Sequence, residues 1–222
     1  MPRHSATAKA ARRPLDRQRV VRAAVDLADE QGIDALTMRR LAQALGVEAM
    51  SLYNHVSSKE DLLEGVADLV TSEFELPSFD ADWKETLRQS ASSAHEALLQ
   101  HPWASSLIES RPSMGPARMR YVNAILGVLR EAGFSLPQAA QAIMALDSHT
   151  YGFALQELSW AFDPADAATV AATFAQAIPR AEHPYLRELV ELAAKADGQL
   201  SLDFSFGLDL ILDGLERARH QA

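Results

Sequence analysis

Nine residues between Thr37 and Lys59 carry side chains suited to reading a nucleic-acid surface: Thr37, Arg39, Ala49, Met50, Ser51, Tyr53, Asn54, His55 and Lys59. An asparagine amide can bond an adenine edge in bidentate fashion, so Asn54 is a candidate base reader. Ser51 can reach a base or a phosphate, and Ala49 and Met50 offer apolar contact to a thymine methyl. Tyr53 and His55 end in polar tips suited to phosphate oxygens, as does the ammonium of Lys59. Arg39 can address a base or the backbone. Two of these residues have a second reading. Tyr53 can pack the domain instead, and Asn54 can simply end its helix.

These residues need a frame, and the local signals supply one. Thr37 suits a helix N-cap. Leu41, Ala42 and Leu45 follow at helical spacing, Gly46 stops the helix, and Val47 plugs the turn. A second short helix is expected from about 48 to 54. Ser58 caps a further helix, 58–75, with Leu62, Leu63, Val66, Ala67 and Val70 on its apolar face. Upstream, Asp16 caps a helix over 17–31 with Val20, Val21, Ala24, Val25 and Ala28 inward, ended by Gly32. Two short helices around a Gly-containing turn, the second rich in short polar side chains, form a helix-turn-helix, which makes double-stranded DNA the first partner to expect.

The formal net charge of −9 looks wrong for such a partner until its distribution is read. Residues 1–60 hold ten basic and seven acidic side chains, a net of +3, so the remainder carries −12. A basic head on an acidic body turns the head toward a polyanion. Residues 1–14 read as a disordered basic tail. Arg12, Arg13 and Arg17 can reach flanking phosphates or the minor groove, or remain solvated. There is no cysteine, hence no disulfide frame or thiolate metal site. No secretory leader and no membrane-length apolar run is visible, so a cytoplasmic location is expected.

The head and its connecting helix occupy 15–75, and Pro77 opens a larger domain over 76–222. Helices are expected at 83–100 after Asp82, from Pro102 to 110, at 116–132, from Ser135 to 162, at 164–177, at 184–196 and at 202–219. The fold class is all-α. Helix 135–162 shows a stripe through Ala140, Ile143, Met144, Tyr151, Ala154 and Leu158, with Asp147 on it. Asp147 can recognise a ligand amine or hydroxyl, or lie at a solvated or dimer surface. His95, Trp103, Leu107, Met114 and Met119 are candidate pocket residues, each with an ordinary core reading beside it.

The run Gly32-Ile33, Leu36-Thr37, Leu41-Ala42, Leu45-Gly46-Val47, Leu52-Tyr53, His55-Val56, Lys59 and Leu62-Leu63 resembles the tetracycline-repressor (TetR) family. The body resembles that of the family's tetracycline-binding members. The carriers are Trp83, Ala97-Leu98-Leu99, His101, Arg111-Pro112, Gly133-Phe134-Ser135-Leu136, Thr150, Gly152 and Leu155. The resemblance implies an all-helical homodimer, paired through helices 135–162 and 202–219, whose body binds a small-molecule effector that moves the heads. Arg111, Tyr151 and Gln156 join the candidate ligand residues. Leu107 and Gln156 stand where the tetracycline binders place a histidine and a glutamate on a magnesium ion, and Ser90 and Ala94 where they place an asparagine and a phenylalanine. Leucine has no donor atom and an amide is a poor ligand for a hard cation, so neither metal nor cofactor is expected. No nucleophile elbow, P-loop or metal cluster points to an enzyme. A ligand-released repressor is therefore the expected function, with an activator or a ligand-independent DNA binder as the alternative.

Overall fold

The computed structural model describes residues 14–159, 166–195 and 203–219. Arg12 and Arg13, with most of the basic tail, lie outside them, as do Trp160 and Leu202. The order is α1 Arg17–Gln31, α2 Met38–Leu45, α3 Ala49–Leu52, α4 Lys59–Thr71, α5 Trp83–Gln100, α6 Ala104–Glu109, α7 Pro116–Glu131, α8 Leu136–Ser159, α9 Ala167–Ala177, α10 Pro184–Lys195 and α11 Phe204–Arg219. A single turn of 3-10 helix, Ile33–Ala35, joins α1 to α2.

The caps sit where local chemistry puts them. The side chains of Asp16, Thr37, Ser58 and Asp82 accept first-turn amides of α1, α2, α4 and α5. Gly46 closes α2 at φ 66°, a left-handed conformation that disfavours a Cβ. Ser135 and Gln138 form a reciprocal capping box ahead of α8. The recognition helix is shorter than its sequence suggests. After Leu52 the chain tightens into i→i−3 bonds from Tyr53, Asn54 and His55, so Asn54 lies in the turn beyond α3.

Buried apolar residues form one contiguous cluster from Val20 in the head to Leu212 in α11. In the head, α1 packs on α2 and α4, and α2 on α3; in the body, α8 packs on α5, α7 and α11. The inward stripe of α8 is Ala139, Ala142, Ile143, Leu146, Thr150, Tyr151 and Ala154. Ala140 and Met144, expected on that stripe, are exposed, Met144 at 62%. Small residues at 139 and 142 let α8 approach its neighbours on that side, and this shifts the phase of the stripe.

Helix α11 has two apolar faces. Phe204, Leu208 and Leu212 are buried, whereas Phe206 and Leu210 are 67% and 58% exposed. The antiparallel pair α9–α10 packs chiefly on itself and exposes Phe174, Tyr185, Leu186, Leu189 and Leu192.

One ion pair fixes the start of α4 to the start of α1. Arg17 Nη1 and Nη2 donate to Asp61 Oδ2 and Oδ1 at 2.9 and 2.5 Å, and Asp61 also accepts Ser57 N at 2.7 Å. The hydrogen bond from Arg17, followed by that from Ser57, lowers the Asp61 pKa to about 2. Arg17 is thus engaged within the head. A carboxylate with a lowered folded pKa stabilises above its unfolded value of 3.8 and loses that stabilisation as pH falls toward 2. Arg17→Met should therefore cost about 1 kcal/mol at neutral pH, the pair being partly exposed. The difference from wild type should vanish between about pH 4 and 2, as measured by denaturant melts across that range.

Candidate DNA-reading head and effector cavity

The expected DNA-reading residues stand at the surface of the helix-turn-helix. Thr37, Arg39, Asn54 and Lys59 are exposed, as are Met50 at 75% and Tyr53 at 44%. Ala49, Ser51 and His55 are half-buried. Beneath them Leu36, Leu41, Leu52, Val56 and Leu62 are almost completely buried. Tyr53 is therefore not a core residue. Thr37 has a structural duty as well, since its Oγ1 accepts Arg40 N at 3.2 Å.

Within the body a small cavity, about 10 Å³, is lined by Phe74, Leu87, Ser90, Ala91, Ala94, Tyr121, Ile125, Leu146, Asp147, Thr150 and Tyr151. That volume holds roughly one water. Ser90 donates to the Glu75 carbonyl at 2.7 Å, and its Oγ is 3.3 Å from the Tyr121 hydroxyl. Thr150 donates to the Leu146 carbonyl at 2.9 Å. Burial pushes Tyr121 up to about 12 and raises Tyr151 as well. It also pushes the Asp147 carboxyl up to about 6, against the pull of Arg118.

A second, open cleft of about 200 Å³ lies between α4 and the α6–α7 corner, lined by Glu64, Asp68, Thr71, Arg111, Met114 and Arg118, among others. Of the nine sequence candidates, Asp147 and Tyr151 line the cavity, and Arg111 and Met114 line the cleft. The other five lie elsewhere, for visible reasons. His95 stacks on Phe204, with ring centroids 4.2 Å apart, and pairs with Glu157 at 3.1 Å. Trp103 donates its indole N–H to Asp29 at 2.8 Å. Leu107 is apolar core. Met119 is 53% exposed, and Gln156 is on the outer side of α8. Ser90 and Ala94, which the resemblance puts at pocket positions, line the cavity, whereas Tyr121 and Thr150 were not among the site candidates. Single polar residues on separate helices give no local signal that they converge.

Polar contacts join head to body, and most use a head carboxylate against a body donor. Asp68 of α4 accepts Ala117 N at 2.7 Å and Arg118 N at 3.3 Å, capping α7 from outside its own chain segment. A Cβ on Gly115 would stand 2.2 Å from Asp68 Oδ1, so only glycine admits this approach. Glu64 accepts the Ser113 hydroxyl at 2.8 Å. His101 lies between Asp29 of α1, 2.8 Å from Nδ1, and Glu73, 3.1 Å from Nε2. Neutral imidazole has one N–H, so donating to both carboxylates requires the imidazolium. Burial opposes that charge, but the hydrogen bonds to Asp29 and Glu73 outweigh it and leave the pKa raised.

A histidine with a raised folded pKa stabilises fully below its unfolded value of 6.5, and this contribution is lost as pH rises through the folded value. His101→Gln should therefore destabilise the chain most in mild acid. The wild-type advantage should shrink steadily above about pH 6.5, read as the difference in melting temperature across a pH series.

Comparison with known proteins agrees with this geometry. Residues 20–66 match the family described as bacterial regulatory proteins, tetR family, and residues 76–219 match the tetracyclin repressor-like C-terminal domain. The chain is 35% identical over 203 residues to the tetracycline repressor protein class A from transposon 1721 of Escherichia coli, covering 90% of each. It is 33% identical over 213 residues to the HTH-type transcriptional repressor DrrR1 of Streptomyces coeruleorubidus, covering 91% of this chain and 77% of that one. The crystal structure of ActR from Streptomyces coelicolor in complex with (S)-DNPA superposes with a TM-score of 0.77 at 30% identity, covering 93% of this chain and 100% of that one. With a helix-turn-helix head and a helical body both matched, the chain belongs to the tetracycline-repressor family of bacterial transcriptional regulators and is not an enzyme.

Proposed function

We propose that this chain is a cytoplasmic repressor that binds a palindromic operator as a homodimer and leaves it when a small, largely apolar effector enters each body. The observation that carries this reading is the direct tie between the two ends. The cavity wall includes Phe74, three residues beyond α4, and α4 itself is pinned to α7 through Asp68. An effector that enlarges the cavity displaces the helix that begins at the DNA-reading head. The relatives named as repressors favour repression over activation. Dimerisation through α8 and α11 is supported by the exposed Met144, Leu155, Phe206 and Leu210. With one helix-turn-helix per chain, recognition helices about 34–36 Å apart would then read two half-sites.

Two substitutions separate positioning from reading. Lys59→Ala should weaken binding to operator and scrambled DNA alike and lower the salt slope by about one. Asn54→Ala should cost about 1–3 kcal/mol on the operator only, with preference relaxed at one base pair. Binding isotherms at several salt concentrations read both effects. An unchanged preference in Asn54→Ala would return that residue to a helix-ending role.

Induction should need no metal, because Leu107 has no donor atom and Gln156 is an amide outside the cavity. Tetracycline with magnesium should release little operator, and a true inducer should act equally well in chelator, followed by fluorescence anisotropy of labelled DNA. A hundredfold loss of affinity corresponds to about 2.7 kcal/mol of coupling between effector and operator sites.

A further inference from the structure

The cavity contains a feature that an apolar effector alone does not explain. Asp147 lines it together with Ser90 of α5, Tyr121 of α7 and Tyr151 of its own helix, and its charge acts on both tyrosines. Among the described residues its side chain makes no hydrogen bond or ion pair. Two charged groups lie nearby, Arg118 of α7 and Glu109 of α6. Arg118 attracts it from a distance but makes no ion pair with it. Arg118 Nη1 donates to the Ile108 carbonyl at 2.9 Å and its Nη2 to Glu109 at 3.0 Å, so the guanidinium is held by α6 rather than by Asp147. Asp147 is half-buried, and a carboxylate partly withdrawn from water with no hydrogen-bond partner is costly, which marks it as a group that something else can complete.

Three properties define what would complete it. The vacant volume, about 10 Å³, admits one group of water or ammonium size. The aromatic side chains of Phe74, Tyr121 and Tyr151 line the same space, and their π faces favour a cation. The rest of the lining is alkyl or hydroxyl, and the Thr150 hydroxyl and Ser90 hydroxyl already donate to backbone carbonyls. Among the described residues no cationic side chain lines the space, and Arg118, the nearest, is engaged by α6.

We propose that the effector carries a protonated amine on an apolar frame, and that Asp147 forms the ion pair that selects it. The inference rests on the repressor reading above and names the effector class for that same body site. Asp147 is thus a specificity residue. Pairing replaces an unpartnered, half-buried charge with a hydrogen-bonded one, and the apolar frame pushes back the wall that includes Phe74.

The test uses a shape-matched pair of probes, naphthylmethylamine and naphthylmethanol, titrated calorimetrically into the full-length protein without DNA. Wild type should bind the amine about tenfold or more tightly than the alcohol at about pH 8, as expected for a charge-assisted hydrogen bond. Asp147→Asn should bring the two within about twofold, and the wild-type preference should fade at about pH 5 as the carboxyl takes up its proton. Equal binding of the two probes, binding of neither, or a preference that survives in Asp147→Asn would overturn the proposal. Folding of the variant is checked by its melt, which should not fall at about pH 8, because the charge removed has no hydrogen-bond partner in the free protein. Operator binding of both proteins is measured separately. Its absence in wild type would sink the repressor reading and leave the amine preference standing, and its presence with no amine preference would do the reverse.

Discussion

The molecule depends on a joint in which the acids of one domain satisfy the donors of the other. Asp68 takes two main-chain amides at the start of α7, Asp29 takes His101 and Trp103, Glu73 takes the far side of His101, and Glu64 takes Ser113. Each contact places a negative group on an N–H or O–H, the arrangement in which a hydrogen bond is strongest and, at a helix start, also favoured by the backbone dipole. The joint also sorts charge. Asp29, Glu64, Asp68 and Glu73 of the head are engaged by the body, while Arg39, Arg40 and Lys59 stay exposed.

This joint makes the cavity consequential. Phe74 and Glu75 lie between α4 and α5, and both bear on the cavity, one through its ring and one through its carbonyl to Ser90. Packed interiors do not stretch smoothly. A change of volume around Asp147 is taken up by shifting whole helices, and α4 is tied to the joint at Glu64 and Asp68. The path from cavity to head is therefore short and made of named contacts.

How much of this was legible in the sequence follows from the range of each interaction. Caps are bonds between residues three apart, so Asp16, Thr37, Ser58 and Asp82 could be read directly, and helix limits followed to within a few residues. The recognition helix was overestimated because Tyr53 to His55 continue the polar pattern while their backbone tightens. The phase of α8 was misread because alanines serve either face. The cavity and joint were illegible for a different reason. Asp29 and His101 are 72 residues apart, and Ser90 and Tyr121 are 31 apart. Nothing in a local window announces that they meet. Asp147 was visible as an anomaly on an apolar stripe, but only the fold shows that Arg118 is held by α6 and does not complete it.

Where Asp68 caps α7, what it grips is main chain. The amides of residues 117 and 118 are the same whatever side chains those positions carry, and the glycine at 115 contributes only an absence. The connection is thus a standard coupling, indifferent to most of the sequence on the effector side. Bodies shaped for quite different molecules can be fitted to one kind of head so long as an acid on α4 meets a glycine before a helix. A lineage built on such a coupling can diversify what it senses without rebuilding how it reports.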